Sequence, residues 1–87
     1  MQQEKIAQII QAVLIKNFDI SADQFEWEFT LQALNKRFKM LSTLVELEKL
    51  LKSQFNKEIA LVENIITTIH TPKDIVQLVM KVYDNRL

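Results

Sequence analysis

Apolar residues recur at helical spacing in three long segments of this chain, and that spacing limits the fold more than any other feature. Residues 6–14 place their apolar side chains on one stripe: Ile6, Ile9, Ile10, Val13 and Leu14. Residues 44–55 do the same with Leu44, Leu47, Leu51 and Phe55. A period of 3.6 residues predicts amphipathic helices in both segments. The first helix should end near Asn17 or Phe18.

The third long segment follows residue 71 and has clear signals at its start. Its apolar side is supplied by Ile75, Val76, Leu78, Val79, Val82 and Tyr83. Thr71 is a good N-cap, Pro72 suits the first helical position, and Asp74 places a negative charge in the first turn. Ser42 and Thr43 are the candidate caps of the second long helix. A short helix is indicated by Leu61, Val62, Ile65 and Ile66.

Residues 25–40 form the most ambiguous stretch. Phe25, Trp27, Phe29 and Leu31 alternate with polar residues, which by period alone indicates a strand. A single strand would have no partner here. We therefore expect an ordered connection whose aromatic side chains hold it to the core, with a helical turn near residues 30–36.

Together these elements predict an all-α fold with one domain over residues 1–87. The expected architecture is a four-helix bundle with three long helices, one short helix and a long loop after the first helix. The composition is that of a globular protein, with 48% hydrophobic residues, 25% charged residues and zero net charge. We expect a monomer in the cytoplasm.

The chain contains no cysteine, no glycine and one histidine, His70. Thiolate metal sites and cysteine nucleophiles are therefore excluded, as are glycine-rich phosphate loops. His70 lies beside no evident catalytic partner and is expected to be an exposed loop residue. The sequence predicts no enzymatic activity, no catalytic residue and no metal site.

Charge is concentrated in the middle of the chain. Residues 36–57 contain six basic and two acidic residues, although the whole chain is neutral. The candidate partner-binding residues are Lys36, Arg37, Lys39, Lys49 and Lys52. A nucleic-acid partner is not expected, because such proteins usually carry a strongly basic balance. A membrane partner is not expected either, because each apolar stripe has another to pack against. The predicted partner is a protein with an acidic patch.

The order of helices and the residues from 44 onward resemble the acyl and peptidyl carrier proteins. Val45-Glu46-Leu47, followed by Leu51 and Phe55, is similar to the second helix of that family. Residues 56–59 resemble the turn ending in Glu-Ile that follows it, and residues 66–76 resemble the entry to the last helix. Residues 18–20 stand where the family usually has Leu-Gly-Val. The resemblance implies a carrier-like four-helix fold.

The sequence departs from that family at its functional motif. Carrier proteins present Asp-Ser-Leu at the start of the second helix, and the serine takes a phosphopantetheine arm. Here Met40 stands in the aspartate position and Leu41 in the serine position. Ser42, one residue further on, is the candidate attachment residue if the register shifts. The family's second helix is also strongly acidic, whereas this segment is basic.

Three functional hypotheses follow. The first is a carrier-like domain without phosphopantetheine, acting as a protein-interaction or accessory subunit in fatty-acid, polyketide or peptide-type biosynthesis. The second is a divergent carrier modified on Ser42. The third is an unrelated helical module that binds an acidic partner.

Overall fold

The computed structural model describes residues 2–65 and 67–84, and the regular structure of these residues is entirely helical. It consists of α1 (Gln3–Asn17), α2 (Leu31–Leu34), a 3₁₀ helix (Lys36–Lys39), α3 (Leu41–Phe55), α4 (Leu61–Asn64) and α5 (Pro72–Asp84). The all-α prediction is confirmed, and the three long helices are α1, α3 and α5. The described residues contain two short α-helices, α2 and α4, where one was predicted. Ile66, predicted as part of the short helix, lies outside the described residues. The carrier-like arrangement of the helices stays a prediction.

The core forms where α1 packs against both α3 and α5. The predicted stripes supply it: Ile6, Ile10, Leu14, Leu47, Leu51, Ile75 and Val79 are each fully buried. The radius of gyration of the Cα atoms is 12.0 Å, and about 12 Å is expected for a compact chain of this length. The amphipathic spacing therefore builds one contiguous core.

The connection from α1 to α3 is held to the core by its aromatic residues and by backbone hydrogen bonds. The ring of Phe25 meets that of Trp27 edge-on at 4.8 Å between centroids. The Trp27 carbonyl accepts from the Lys73 N–H at 3.1 Å, and the Leu31 N–H donates to the His70 carbonyl at 2.9 Å. The prediction of an ordered, non-strand connection is confirmed, and α2 provides its helical turn.

Two contacts with Phe18 hold the end of this connection, just before α3, against the end of α1. The ring of Phe38, in the 3₁₀ helix, packs on that of Phe18 with centroids 5.0 Å apart, and both are buried. Asn35 contacts the backbone of the same phenylalanine, because its side-chain Nδ2 donates to the Phe18 carbonyl at 2.7 Å. Its Oδ1 accepts from the Arg37 N–H at 2.9 Å and so caps the 3₁₀ helix.

α4 is placed by a side chain of α3. Glu48 Oε1 accepts from the Val62 N–H at 2.9 Å, which satisfies one of the free donors in the first turn of α4. Glu48 therefore contacts α4, and Lys52, four residues further along α3, contacts Glu58 at 2.6 Å.

The start of α5 follows the prediction from the sequence. The Asp74 N–H donates to Thr71 Oγ1 at 3.2 Å, and Asp74 Oδ2 accepts from the N–H groups of Thr71 (3.0 Å) and His70 (2.9 Å). This is a reciprocal capping arrangement with aspartate in the position that glutamate usually takes. Partial burial would raise the pKa of Asp74, but the hydrogen bonds from His70 and Thr71 outweigh it, so its pKa lies below the ordinary value.

We expect Asp74 to contribute to the acid sensitivity of the fold. Because its pKa is lower in the folded than in the unfolded state, its contribution is present above the unfolded pKa of about 3.9 and is lost as the pH falls through the folded pKa. Asp74→Asn keeps a side-chain acceptor but does not ionise. The unfolding free energy of this variant, measured in urea at a series of pH values from about 6 downward, should fall less steeply than that of the wild type. Equal slopes would contradict the assignment, and Asp84→Asn, at the other end of the helix, is the control.

Candidate interaction surface

α3 begins earlier than its candidate caps. Its N-cap is Met40, with extended backbone angles (φ −94°, ψ 133°) and no side-chain capping hydrogen bond. The prediction that Ser42 or Thr43 caps this helix is wrong. Both already lie within its first turn, because the 3₁₀ helix leads into α3 with a single residue between them. Thr43 is only 4% exposed, which places it in the protein interior instead of at a cap.

Ser42 has a free, accessible hydroxyl group. It is exposed in the first turn of α3, and no hydrogen bond joins its hydroxyl to another residue of the described chain. Free backbone N–H groups and the positive end of the helix dipole lie at the same place. A negatively charged group on this oxygen would therefore be favoured, whether or not Ser42 carries one.

Met40 and Leu41 expose large apolar side chains beside Ser42. Met40 is 57% exposed and Leu41 is 63% exposed. They follow directly after the 3₁₀ helix, whose Lys36, Arg37 and Lys39 are all exposed. We call these five residues the α3-start patch. It combines two adjacent exposed apolar side chains with three exposed cations.

Some of the five predicted partner-binding residues form ion pairs within the protein and others do not. Lys36, Arg37 and Lys39 share the 3₁₀ helix, but Arg37 lies 3.8 Å from Glu46 in an exposed ion pair. Lys52 contacts Glu58, and this hydrogen bond raises the pKa of Lys52. Lys36, Lys39 and Lys49 form no ion pair with any of residues 2–65 and 67–84. Two of these three lysines, Lys36 and Lys39, therefore lie just before the start of α3.

A pocket of about 360 Å³ opens next to this patch. It lies between α2, the 3₁₀ helix, α3 and the segment before α5, and Leu31, Phe38, Leu44 and Ile69 contribute its apolar walls. Lys39 and His70 also line it. Lys39 thus belongs to both the pocket and the patch, so the two form one continuous surface.

The sequence gives little indication of this pocket. Its walls come from four segments that only the tertiary fold brings together, and none of them contains a recognisable motif. The Leu31–His70 backbone hydrogen bond is what draws α2 toward the segment before α5. The accumulation of cations at residues 36–39 is the one signal that points to this region.

Other kinds of site are not seen in the part of the chain that the structure describes. His70 is exposed, as predicted; its backbone N–H donates to the Asp74 carboxylate, and its carbonyl accepts from the Leu31 N–H. No group of three or more histidine, cysteine, aspartate or glutamate side chains is arranged to hold a metal ion among these residues. No helix within them has the length and apolar character needed to cross a membrane.

Comparison of the chain with protein-family models, with curated proteins and with solved structures gives no significant match.

Proposed function

We propose that this chain is a carrier-like helical domain that works by protein–protein contact and carries no phosphopantetheine. The pathway we propose is of the fatty-acid, polyketide or peptide type, where the domain serves as an accessory subunit. The observation that supports this most is the exposure of Met40 and Leu41. These apolar residues occupy the positions at which the resembled family has the aspartate and serine of its attachment motif.

Charge supports the same proposal. A carrier presents acidic residues to basic enzymes, whereas here Lys36 and Lys39 stand beside the start of α3 without an ion pair among the described residues. A basic partner would be repelled by this surface and an acidic one attracted, which affects the association rate as well as specificity. We therefore propose that the partner is acidic where it meets the α3-start patch.

The second candidate is a divergent carrier modified on Ser42, and one observation favours it. The hydroxyl is exposed in the first turn of α3 and is not used as a cap. Ser42 fits the group in exposure, and its place in the first turn of α3 suits a phosphate, because a helix N-terminus favours negative charge. The position itself is one residue past that of the family serine, so the modifying enzyme would meet Met40 and Leu41 in place of its usual recognition residues.

Intact-mass measurement separates the two candidates. The protein is incubated with coenzyme A and a broad-specificity phosphopantetheinyl transferase, with a conventional carrier protein in the same tube. We expect the conventional carrier to gain the mass of one arm and this protein to stay unchanged. A gain that maps to Ser42 and disappears in Ser42→Ala would overturn the proposal. Ser42→Ala is a suitable control because Ser42 caps nothing, so its unfolding free energy should change by no more than about 0.5 kcal/mol.

A further inference from the structure

The apolar part of the α3-start patch and the neighbouring pocket lie side by side. Lys39 lines the pocket and directly precedes Met40 in the chain. Leu44, one turn into α3, contributes to the pocket wall from the other side. A partner that covers Met40 and Leu41 therefore meets the opening of the pocket within one helical turn.

The size and lining of the pocket suit a side chain. Its volume of about 360 Å³ exceeds that of a leucine or phenylalanine side chain, and Leu31, Phe38, Leu44 and Ile69 give it apolar walls. Large apolar side chains inserted in such pockets supply much of the binding energy of protein interfaces. The polar rim at Lys39 and His70 suits an anionic group next to that side chain.

The limited charge argues for a protein segment over a larger anionic surface. Arg37 is already paired with Glu46, which leaves Lys36 and Lys39 as the free cations of the patch. Membranes and nucleic acids gain affinity from many cations acting together, whereas two carboxylates on a peptide match these two cations.

We infer that the α3-start patch and this pocket bind an acidic amphipathic protein segment, with one large apolar side chain of that segment in the pocket. Its carboxylates contact Lys36 and Lys39, and its remaining apolar side chains cover Met40 and Leu41. This inference rests on the proposed function and adds to it the chemical nature of the partner and the place of its anchor.

A random peptide library displayed on phage and selected against the immobilised protein tests this inference. We expect the enriched peptides to combine acidic residues with a leucine or an aromatic residue. Two variants then locate the binding. Lys36→Glu with Lys39→Glu reverses the free charge, and Gln32→Trp places a large side chain at the exposed edge of the pocket, where Gln32 is one of the lining residues.

Each variant should weaken peptide binding about tenfold or more, measured by fluorescence anisotropy. The matched controls are Lys5→Glu with Lys16→Glu, exposed cations of α1, and Gln24→Trp, an exposed residue of the connection. These should change the affinity by less than about twofold. Far-UV circular dichroism verifies that every variant is folded.

The outcomes distinguish an error in the pocket anchor from an error in the proposed acidic partner. If charge reversal weakens binding and Gln32→Trp does not, the pocket anchor is wrong while an acidic partner of the patch stands. If no peptide is enriched, or if the charge reversal leaves the peptide affinity unchanged, both the inference and the proposed acidic partner are wrong. Tighter binding to phosphatidylserine vesicles than to the peptides, lost in the same variants, would replace the protein partner with a lipid surface and overturn the inference.

Discussion

Phe18→Ala should leave about half of the protein unfolded at 25 °C. Phe18 is fully buried at the end of α1, and its ring packs on that of Phe38. Removing a buried phenylalanine side chain costs about 3–5 kcal/mol, and a core of this size supplies only about 3–5 kcal/mol in total. The loss therefore equals the whole stability. It should appear as reduced helical ellipticity without denaturant and a urea transition shifted to very low concentration.

Phe29→Ala is the matched control, because it makes the same change on a side chain that is 52% exposed. Its unfolding free energy should stay within about 0.5 kcal/mol of the wild type. If the two variants were equally stable, the packing of Phe18 against Phe38 described above would be wrong.

Asn35→Ala should lower the unfolding free energy by about 2 kcal/mol, the second largest effect. The substitution leaves the Phe18 carbonyl without the amide donor at 2.7 Å and the Arg37 N–H without its acceptor at 2.9 Å. Loss of a cap costs about 0.5–2 kcal/mol, and a part-buried group left without its partner costs about 1–3 kcal/mol. Urea unfolding followed by circular dichroism measures the difference.

Asn35→Asp tests the donor to Phe18 separately from the cap. Aspartate still accepts from the Arg37 N–H, but it places an acceptor oxygen opposite the Phe18 carbonyl, so we expect its unfolding free energy to stay clearly below that of the wild type. Asn17→Ala is the control, since Asn17 is exposed and its Nδ2 donates only to the Val13 carbonyl within α1. A loss at Asn17 as large as that at Asn35 would refute the role of Asn35 in joining the connection to α1.

The long helices were predictable because their signal is local. The stripes of α1 and α3, and the Thr71, Pro72 and Asp74 start of α5, depend on residues within one or two turns of each other. The same local reasoning failed at the start of α3. Ser42 and Thr43 have the chemistry of caps, but Asn35 takes that role one element earlier, and the chain passes from the 3₁₀ helix into α3 through Met40.

The candidate surface was predictable only in part. The cations of residues 36–39 are visible in the sequence, whereas the ion pair of Arg37 with Glu46 depends on how the 3₁₀ helix lies along α3. The pocket depends on contacts between segments about forty residues apart, such as Leu31 with His70. Sequence patterns within one or two helical turns contain no information on contacts between such distant segments.

The packing of α1 against α5 has a consequence for the protein as it is made. From Asn17 to Pro72 there are 55 residues, which a ribosome adds in about 3–11 s at 5–20 residues per second. A small helical domain folds in microseconds to milliseconds once its parts are present. Ile6, Ile10 and Leu14 therefore lack their α5 partners for seconds during synthesis, so this apolar face cannot be buried against α5 until the end of the chain has been made.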